Sequence, residues 1–341
     1  MTTISTLGSH CALQVLKGAK DEGFQTLLIC EKKREKLYKR FSFIDELLLV
    51  DSFNDILESK CRSKLKELQS IIIPHGTLIS QMSSSEIESI DIPIFGNKWI
   101  LRWESDRNMK EKLMLESKLH VPKSLSNPSE INGLVIAKRH GAAGGKGYFL
   151  ATNKEDYETK RDKLASQGLI KSDEDLYLQE YAFGVSAYLQ YFYTPIHDKL
   201  EFFGVDRRYE SDVDGIGRIP AQQQIDIDKI PSFNVIGNSP LVLRESLLDE
   251  VYSMGERFVD AAKRLVAPGM NGPFCLEGVY DENGKFTAFE FSSRIVAGTN
   301  LYVNGSPYSV FIYDEPMSMG RRIAREIKIA NTKNQISKIV T

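Results

Sequence analysis

The sequence predicts an α/β fold that becomes α+β in its C-terminal part, with a parallel sheet near the N-terminus. Strand and helix signals alternate through the first third of the chain, which is typical of parallel βαβ units. Two long strands of alternating polarity, Val185 to Thr194 and Lys199 to Tyr209, are typical of an antiparallel pair. Nearer the C-terminus, Asn283-Gly284 separates two apolar runs and indicates a hairpin.

The composition is that of a globular protein with more than one domain. The chain has 341 residues, of which 42% are hydrophobic and 26% charged. Its net charge of −2 gives no reason to expect nucleic acid or an anionic membrane as a partner. No apolar run reaches the roughly 20 residues that span a bilayer, and no signal-peptide pattern opens the sequence. The four cysteines lack metal-binding spacing, so we expect reduced thiols and a cytoplasmic protein.

The first third predicts a parallel sheet covered by helices. Its elements are, in order, a strand from Thr3 to Leu7, a helix from Ala12 to Glu22, strands from Thr26 to Cys30 and Glu46 to Val50, a helix from about Asn54 to Leu68, and a strand from Ser70 to Ile73. Ligands of such sheets bind beyond the carboxyl ends of the strands. Two of those ends carry polar residues, Gly8-Ser9-His10 and Pro74-His75-Gly76-Thr77. Ser9 could equally cap the next helix, and either histidine alone could be structural.

A boundary is predicted at Val121-Pro122, which ends a long amphipathic helix from Trp99 to Leu119. A helix from Lys154 to Gln167 and a strand from Leu176 to Tyr181 follow the boundary. The long antiparallel pair then begins at Val185. We therefore expect three domains, over residues 1–120, 121–184 and 185–341.

A glycine-rich segment, residues 141–147, joins two short apolar runs and is called the flap here. Four of its seven residues are glycines, so its backbone N–H groups can approach an anion closely, and Lys138 and Lys146 add positive charge at its edges. The residue after Lys146 is Gly147, which excludes a P-loop, and the following segment resembles a strand, which excludes a dinucleotide fingerprint. A polyphosphate is the expected ligand, and a hairpin tip with solvated lysines is the alternative.

The C-terminal third predicts a carboxylate pair. A loop from Asp226 to Asn238 and a helix from Glu245 to Val266 precede it. If Asn283-Gly284 forms a two-residue turn, Glu277 and Glu290 lie directly opposite each other on one face of the hairpin. Two facing glutamates repel unless a cation lies between them, and Mg²⁺ prefers such oxygen ligands. A solvated pair is the alternative, but apolar residues flank both positions.

The order of these features resembles that of the ATP-grasp ligases. Within that superfamily, nearly the full chain is similar to the formate-dependent synthetases that formylate 5-aminoimidazole-4-carboxamide ribonucleotide (AICAR) to its formyl derivative (FAICAR) in archaeal purine biosynthesis. The matching stretches are Thr6 to His10, Pro74 to Gly76, Phe95 to Asn97, Leu101 to Ser105, Arg208 to Ser211, Gly272 to Cys275 and Ser318 to Glu326. They extend through all three predicted domains.

The resemblance implies an ATP-grasp fold with an N-terminal parallel-sheet (pre-ATP-grasp) domain. It implies that AICAR is bound by His10, Thr77 and Asn238, and that Lys138 and Arg294 act in catalysis. Position 77 is usually a serine in this family, and the threonine keeps the hydroxyl group.

For ATP, the resemblance implies contacts from the flap and its surroundings, from the hinge at residues 179–181 with the residue after it, and from a later strand. These residues are Lys138, Gly144, Gly145, Lys146, Gly147, Glu180, Tyr181, Ala182 and Glu210. Glu277 and Glu290 would hold Mg²⁺ or Mn²⁺. Many ATP-grasp enzymes have an asparagine two positions after the second glutamate, where this chain has Ser292. A third metal ligand is therefore left open.

The implied reaction joins formate to an amine. Phosphoryl transfer from ATP would convert formate into formyl phosphate, which the 5-amino group of AICAR can attack. We therefore expect ATP, formate and AICAR as partners, and a homo-oligomer. Two alternatives remain: an ATP-grasp paralogue that joins another acid to another amine, and a non-catalytic nucleotide-binding protein. The predicted substrate contacts discriminate against the first, and the retained lysines and glutamates against the second.

Overall fold

The computed structural model describes residues 2–139, 148–171, 176–224, 227 and 234–341. Strands in these residues form three sheets. Among the same residues, a search for a helix long and apolar enough to cross a membrane finds none.

The N-terminal sheet is parallel throughout, as the alternation of strands and helices predicts. Its strands are β1 (Thr3–Leu7), β2 (Gln25–Glu31), β3 (Glu46–Val50) and β4 (Ser70–Ile72), in the spatial order β3-β2-β1-β4. The helices of this part are α1 (Ala12–Asp21), α2 (Glu35–Tyr38), α3 (Ser59–Glu67), α4 (Gly76–Gln81) and α5 (Ser84–Ser89). Because β1 and β4 are neighbours, the polar residues that follow them meet at one edge of the sheet.

The predicted single helix from Trp99 to Leu119 is wrong, because two helices occupy this stretch. They are α6 (Ile100–Ser105) and α7 (Arg107–Glu116), separated by Asp106. Asp106 has extended backbone angles, and its carboxylate accepts the Met109 N–H at 2.9 Å as the N-cap of α7. The N-cap at Asp106 therefore begins a second helix where the amphipathic pattern predicts a single one.

The middle sheet is antiparallel and contains both runs that flank the flap. Its elements are β5 (Ser124–Leu125), β6 (Val135–Lys138), β7 (Phe149–Ala151), α8 (Lys154–Ser166) and β8 (Tyr177–Glu180), and its strand order is β5-β8-β6-β7. All three strand pairs are antiparallel. Lys138 is the last residue of β6 and therefore precedes the flap by a few residues in the sequence.

The C-terminal sheet is antiparallel, with the order β11-β10-β9-β12-β13. Its elements are β9 (Val185–Thr194), β10 (Lys199–Glu210), α9 (Ser211–Ile216), α10 (Ala221–Gln224), β11 (Val235–Pro240), α11 (Leu248–Leu265), β12 (Gly272–Tyr280), β13 (Phe286–Ser292) and, after the sheet, α12 (Met319–Thr332). The predicted loop over residues 226–238 is corrected at its end, since β11 begins at Val235 and pairs with β10. Cross-strand pairing gives this polar segment a regular structure that its own composition does not indicate.

The hairpin of β12 and β13 pairs Glu277 with Glu290, as predicted, although by a different geometry. Tyr280 pairs with Phe286, so the turn spans residues 281–285 and is longer than the two residues expected. A register shift at Gly278, which pairs with Ala288, then leaves Phe289 as an extra residue and restores the predicted pairing. A Cβ atom at Gly278 would lie 2.4 Å from the Thr287 carbonyl oxygen, so this irregularity requires a glycine.

Helix α12 returns to the N-terminal part of the chain and packs against α1. Its Arg321 and Arg325 both pair with Glu22, which follows α1. Apolar residues from both helices share one buried cluster with residues of β1 and β2. The same cluster contains Phe192 of β9 and Phe203 of β10, so the N-terminal and C-terminal sheets are held together by a common core.

Candidate active site

One cavity of about 750 Å³ lies where the three sheets meet. Ten of the sequence-predicted site residues line it: His10, Lys138, Glu180, Tyr181, Ala182, Glu210, Asn238, Glu277, Glu290 and Arg294. Thr77 is buried beside His10. The predicted flap contacts Gly144, Gly145, Lys146 and Gly147 lie outside the described residues.

The end of β1 presents His10 to the cavity. His10 has a φ of 43°, in the left-handed region that a non-glycine residue rarely adopts. Its Nδ1 is 3.0 Å from Thr77 Oγ1 and 3.2 Å from Ser9 Oγ. If one of these hydroxyls donates to Nδ1, the Nε2–H is a donor toward a ligand. Burial, then Arg294 and Arg34, lower the pKa of His10.

His75 has a structural position behind this edge. It is fully buried, its Nδ1 accepts the Thr77 N–H as the N-cap of α4, and its Nε2 lies 2.9 Å from the Leu7 carbonyl oxygen. Burial lowers its pKa to about 3, so the ring is neutral at physiological pH. Of the two histidines singled out in the sequence, only His10 lines the cavity.

Lys138 enters the cavity from the middle sheet. Its side chain is buried, and Nζ donates to Gln179 Oε1 at 3.0 Å. The ammonium group lies 5.5 Å from the centre of the Phe289 ring, the extra residue of the hairpin. Burial lowers the pKa of Lys138 to about 8, an effect that Glu290 opposes and that nearby cations increase. The ammonium form therefore predominates at neutral pH and is lost as the pH rises above about 8, and a polyphosphate would favour the charged form.

Glu290 is held by two basic residues that the sequence reasoning missed. Lys110 Nζ donates to Glu290 Oε1, and Arg107 lies 3.9 Å from the same oxygen. Burial favours the neutral acid, but Lys110 and Arg107 outweigh it and hold the pKa of Glu290 well below its usual value. Arg107 and Lys110 are three residues apart on α7 and thus share a helix face, a spacing that could have indicated a basic cluster.

Glu277 is bound by residues of two other strands of the sheet, Arg208 of β10 and Ser292 of β13. Its Oε2 is 2.9 Å from Arg208 NH1, and its Oε1 accepts the Ser292 hydroxyl at 2.7 Å. The Arg208 guanidinium also stacks over the Tyr188 ring at 3.7 Å from its centre. Glu277 is therefore a buried side chain with an arginine and a hydroxyl as partners in the cavity wall, and the solvated-pair alternative does not describe it.

The donor set fits a hard divalent cation. Two carboxylates and the Ser292 hydroxyl supply oxygen atoms at one end of the hairpin, and Mg²⁺ commonly binds one or two carboxylates together with phosphate oxygens. No group of three or more His, Cys, Asp or Glu residues arranged to hold a metal is found among the described residues. Phosphate oxygens and water would complete the coordination of such an ion.

Arg294 is held by Glu104 of α6. Its NH2 lies 2.9 Å from Glu104 Oε1, while Glu104 Oε2 accepts both the backbone N–H and the hydroxyl of Ser293. The Nε of Arg294 is buried and has no partner among the described residues. The contacts with Glu104 hold Arg294 beside Gly76, at the edge of the sheet that is followed by His10.

The hinge between the middle and C-terminal sheets forms another part of the wall. The Glu180 and Tyr181 N–H groups donate to the carbonyl oxygens of Lys123 and Leu134, so both residues are anchored by the middle sheet. Glu210, at the end of β10, lines the same cavity, and burial raises its pKa although Arg208 opposes the shift. The cavity is therefore lined here by the Tyr181 ring and by the carboxyl groups of Glu180 and Glu210.

Comparison with known structures defines the class of protein. The fold matches an N5-carboxyaminoimidazole ribonucleotide synthetase solved as an ADP complex, with a TM-score of 0.68 and 12% identity over 95% of this chain and 76% of that one. It also matches an IMP biosynthesis protein PurP from Thermococcus kodakaraensis, with a TM-score of 0.78 and 29% identity over 99% of this chain and 100% of that one. The chain has the ATP-grasp fold.

Sequence comparison defines the family. Models described as "Protein of unknown function (DUF1246)" and "Domain of unknown function (DUF1297)" match residues 4–125 and 156–341. The 5-formaminoimidazole-4-carboxamide-1-(beta)-D-ribofuranosyl 5'-monophosphate synthetase of Nitrosopumilus maritimus is 67% identical over 341 residues, all of both chains. The chain belongs to this family of synthetases, the FAICAR synthetases of purine biosynthesis.

Proposed function

We propose that this chain uses ATP to activate formate and transfers the formyl group to the 5-amino group of AICAR, giving FAICAR, ADP and phosphate. The observation that carries the proposal is that one cavity contains both sets of predicted contacts. His10 and Asn238 represent the AICAR side, and Lys138, Glu277 and Glu290 represent the ATP side. Membership of the FAICAR synthetase family supports the choice of acid and amine.

The chemistry begins with an acid that is a poor electrophile. A formate oxygen would attack the γ-phosphorus of ATP, the bond to the β–γ bridging oxygen would break, and ADP would leave. Formyl phosphate, a mixed anhydride, is the product of this step. The chain's contribution is positioning and charge neutralisation, for which Lys138 and Arg294 supply positive charge in the cavity.

Glu277 and Glu290 would hold Mg²⁺ or Mn²⁺, which would neutralise phosphate charge when bound. Lys110 and Arg107, released from Glu290, would then be available to phosphate oxygens.

In the second half-reaction, the AICAR amine would attack the formyl carbon, phosphate would leave, and the nitrogen would lose a proton. His10 and Asn238 would orient the nucleotide so that its amine faces the anhydride. Water must be excluded because it would hydrolyse formyl phosphate. We expect the flap, residues 141–147, to exclude water by closing over the bound substrates. The homo-oligomer and the cytoplasmic location remain predictions from the sequence.

A coupled assay of ADP release tests the proposal. Full turnover should require ATP, formate and AICAR together, and no folate. Omission of AICAR or of formate should each reduce ADP release to the background of ATP hydrolysis. A requirement for 10-formyltetrahydrofolate would contradict direct activation of formate, and turnover with a different acid or amine would favour the paralogue alternative.

A further inference from the structure

Asp206 is a buried carboxylate beside the cavity to which the sequence reasoning assigned no role. It is 1% exposed, and each of its oxygens accepts a side-chain amide. Gln190 Nε2 donates to Oδ1, and Asn238 Nδ2 donates to Oδ2 at 2.7 Å. The three residues lie on β9, β10 and β11, which are neighbours in the C-terminal sheet. A chain of polar contacts therefore crosses the sheet and ends at Asn238 in the cavity wall.

The surroundings leave the Asp206 carboxylate little freedom. A Cβ atom on Gly298 would lie 2.0 Å from Oδ1, so a glycine is required where this residue packs on the carboxylate. Arg208, two residues along the same strand and thus on the same face, favours the ionised form of Asp206. Burial has the opposite effect and raises the pKa of Asp206. Both amide N–H donors stabilise the ionised carboxylate as well.

Both carboxylate oxygens of Asp206 accept a hydrogen bond from an amide N–H, which fixes the orientation of Asn238. The NH2 end of the Asn238 amide must face Asp206, so its Oδ1 is the end left for a ligand. We propose that Asp206 is a positioning residue that makes Asn238 a hydrogen-bond acceptor for an exocyclic N–H of the aminoimidazole carboxamide. This inference rests on the proposed function, because it names a donor group of AICAR.

Asp206→Asn tests the inference with little change in shape. The new amide can donate as well as accept, so Asn238 is no longer held in one orientation, and its NH2 can turn toward the N–H of the ligand. AICAR affinity should fall about 10- to 100-fold, with a matching rise in the KM for AICAR. The affinity for a non-hydrolysable ATP analogue should change less than about twofold. Glu201→Gln removes another buried carboxylate from β10, one that binds Arg322 outside the cavity, and is the matched control.

A second variant separates positioning from folding. Asp206→Asn combined with Asn238→Asp reverses the pair, so that residue 206 donates and residue 238 again offers an acceptor to the ligand. This double variant should recover AICAR affinity to within about threefold of the unmodified chain. Equal losses of AICAR and ATP-analogue affinity in the single variant, unchanged AICAR affinity, or no recovery in the double variant would each overturn the inference. Failure of the unmodified chain to bind AICAR would instead contradict the proposed function.

Discussion

The cavity wall contains both acidic and basic side chains, and Glu277 and Glu290 of the hairpin each have a basic partner. Glu277 is bound by Arg208, and Glu290 is bound by Lys110. Pairing offsets the cost of burying these charges before any ligand arrives. A nucleoside triphosphate with a divalent cation carries charges of both signs. When it binds, the basic residues can pair with its phosphates and the glutamates with the cation, so no charged group is left without a partner.

The carboxylates could be predicted at the residue scale, but their partners could not. The pairing of Glu277 with Glu290 was predicted from the local hairpin pattern, although a longer turn and the extra residue Phe289 produce it in the structure. The contact between Lys110 and Glu290 joins residues 180 positions apart, and nothing near either residue in the sequence indicates it. The same holds for Arg294 and Glu104, which meet only once α6 packs on the C-terminal sheet.

Glu290→Gln should reduce kcat at least about 100-fold with little loss of folded structure. The amide keeps the size of the side chain but loses the charge that a divalent cation and Lys110 require. ADP release at saturating Mg²⁺ and thermal unfolding are the measurements. Glu282→Gln, at an exposed position in the turn of the same hairpin, is the control and should retain full activity. Near-normal turnover by Glu290→Gln would rule out the metal assignment.

The affinity for an ATP analogue should fall as the pH rises above about 8. The pKa of Lys138 is lowered to about 8 in the free protein, so the ammonium form that attracts phosphate is present below that pH and lost above it. The loss should approach about tenfold per pH unit, up to the pKa of the bound form. Titration calorimetry from pH 7 to 9.5 measures it.

Lys138→Met is the control for this pH dependence. This variant should bind the analogue weakly, and its affinity should not fall above pH 8, because the titrating lysine is gone. Any effect from ionisation of the ligand itself should be the same in both proteins. A step of the same size in the methionine variant would assign the effect to another group.

His10→Ala should weaken AICAR binding about 10- to 150-fold, or roughly 1.5–3 kcal/mol for one hydrogen bond to a charged acceptor. ATP-analogue affinity should be nearly unchanged, since the predicted ATP contacts among the described residues, such as Lys138 on β6 and Glu210 on β10, do not belong to the N-terminal sheet. Separate titrations of the two ligands measure this. His120→Ala, at an exposed position, is the matched control. Equal losses for both ligands would make His10 structural.

Among the elements, α7 shows how a cap can determine a site. Asp106 begins the helix, and the next residue on the chain is Arg107, which is followed one turn later by Lys110. Had the predicted continuous helix formed, Asp106 would be an interior position and the direction of these side chains would differ. Helical periodicity could be predicted from the sequence here. The break falls in the polar run from Glu104 to Asn108, and Asp106 within that run is a capping residue that could have indicated it.

Asp106→Ala should destabilise the protein by about 1 kcal/mol through loss of the N-cap. Because α7 carries two residues that bind Glu290, kcat should fall as well. Urea unfolding and steady-state kinetics are the measurements. Asp106→Asn keeps a capping oxygen and should be close to the unmodified chain. A loss as large for asparagine as for alanine would show that the carboxylate has a role other than capping.

At the scale of the whole molecule, local sequence patterns predict individual sheets and hairpins but do not predict how these parts assemble. The parallel N-terminal sheet, the antiparallel pair β9 and β10 and the final hairpin were all predictable from alternation and turn residues. The place of β11 beside β10 was not, since a polar segment becomes a strand only through its partner. The return of α12 to α1 likewise depends on ion pairs to Glu22 that join opposite ends of the chain.

The cavity exists because three sheets meet, and the central claim is that it couples ATP to the activation of formate. Turnover with ¹⁸O-labelled formate tests this most directly. If formyl phosphate forms, the oxygen of formate that attacks phosphorus leaves with it, so each turnover in the presence of AICAR should yield one phosphate carrying one ¹⁸O atom. Phosphate free of label, formed at the rate of FAICAR production, would contradict the account.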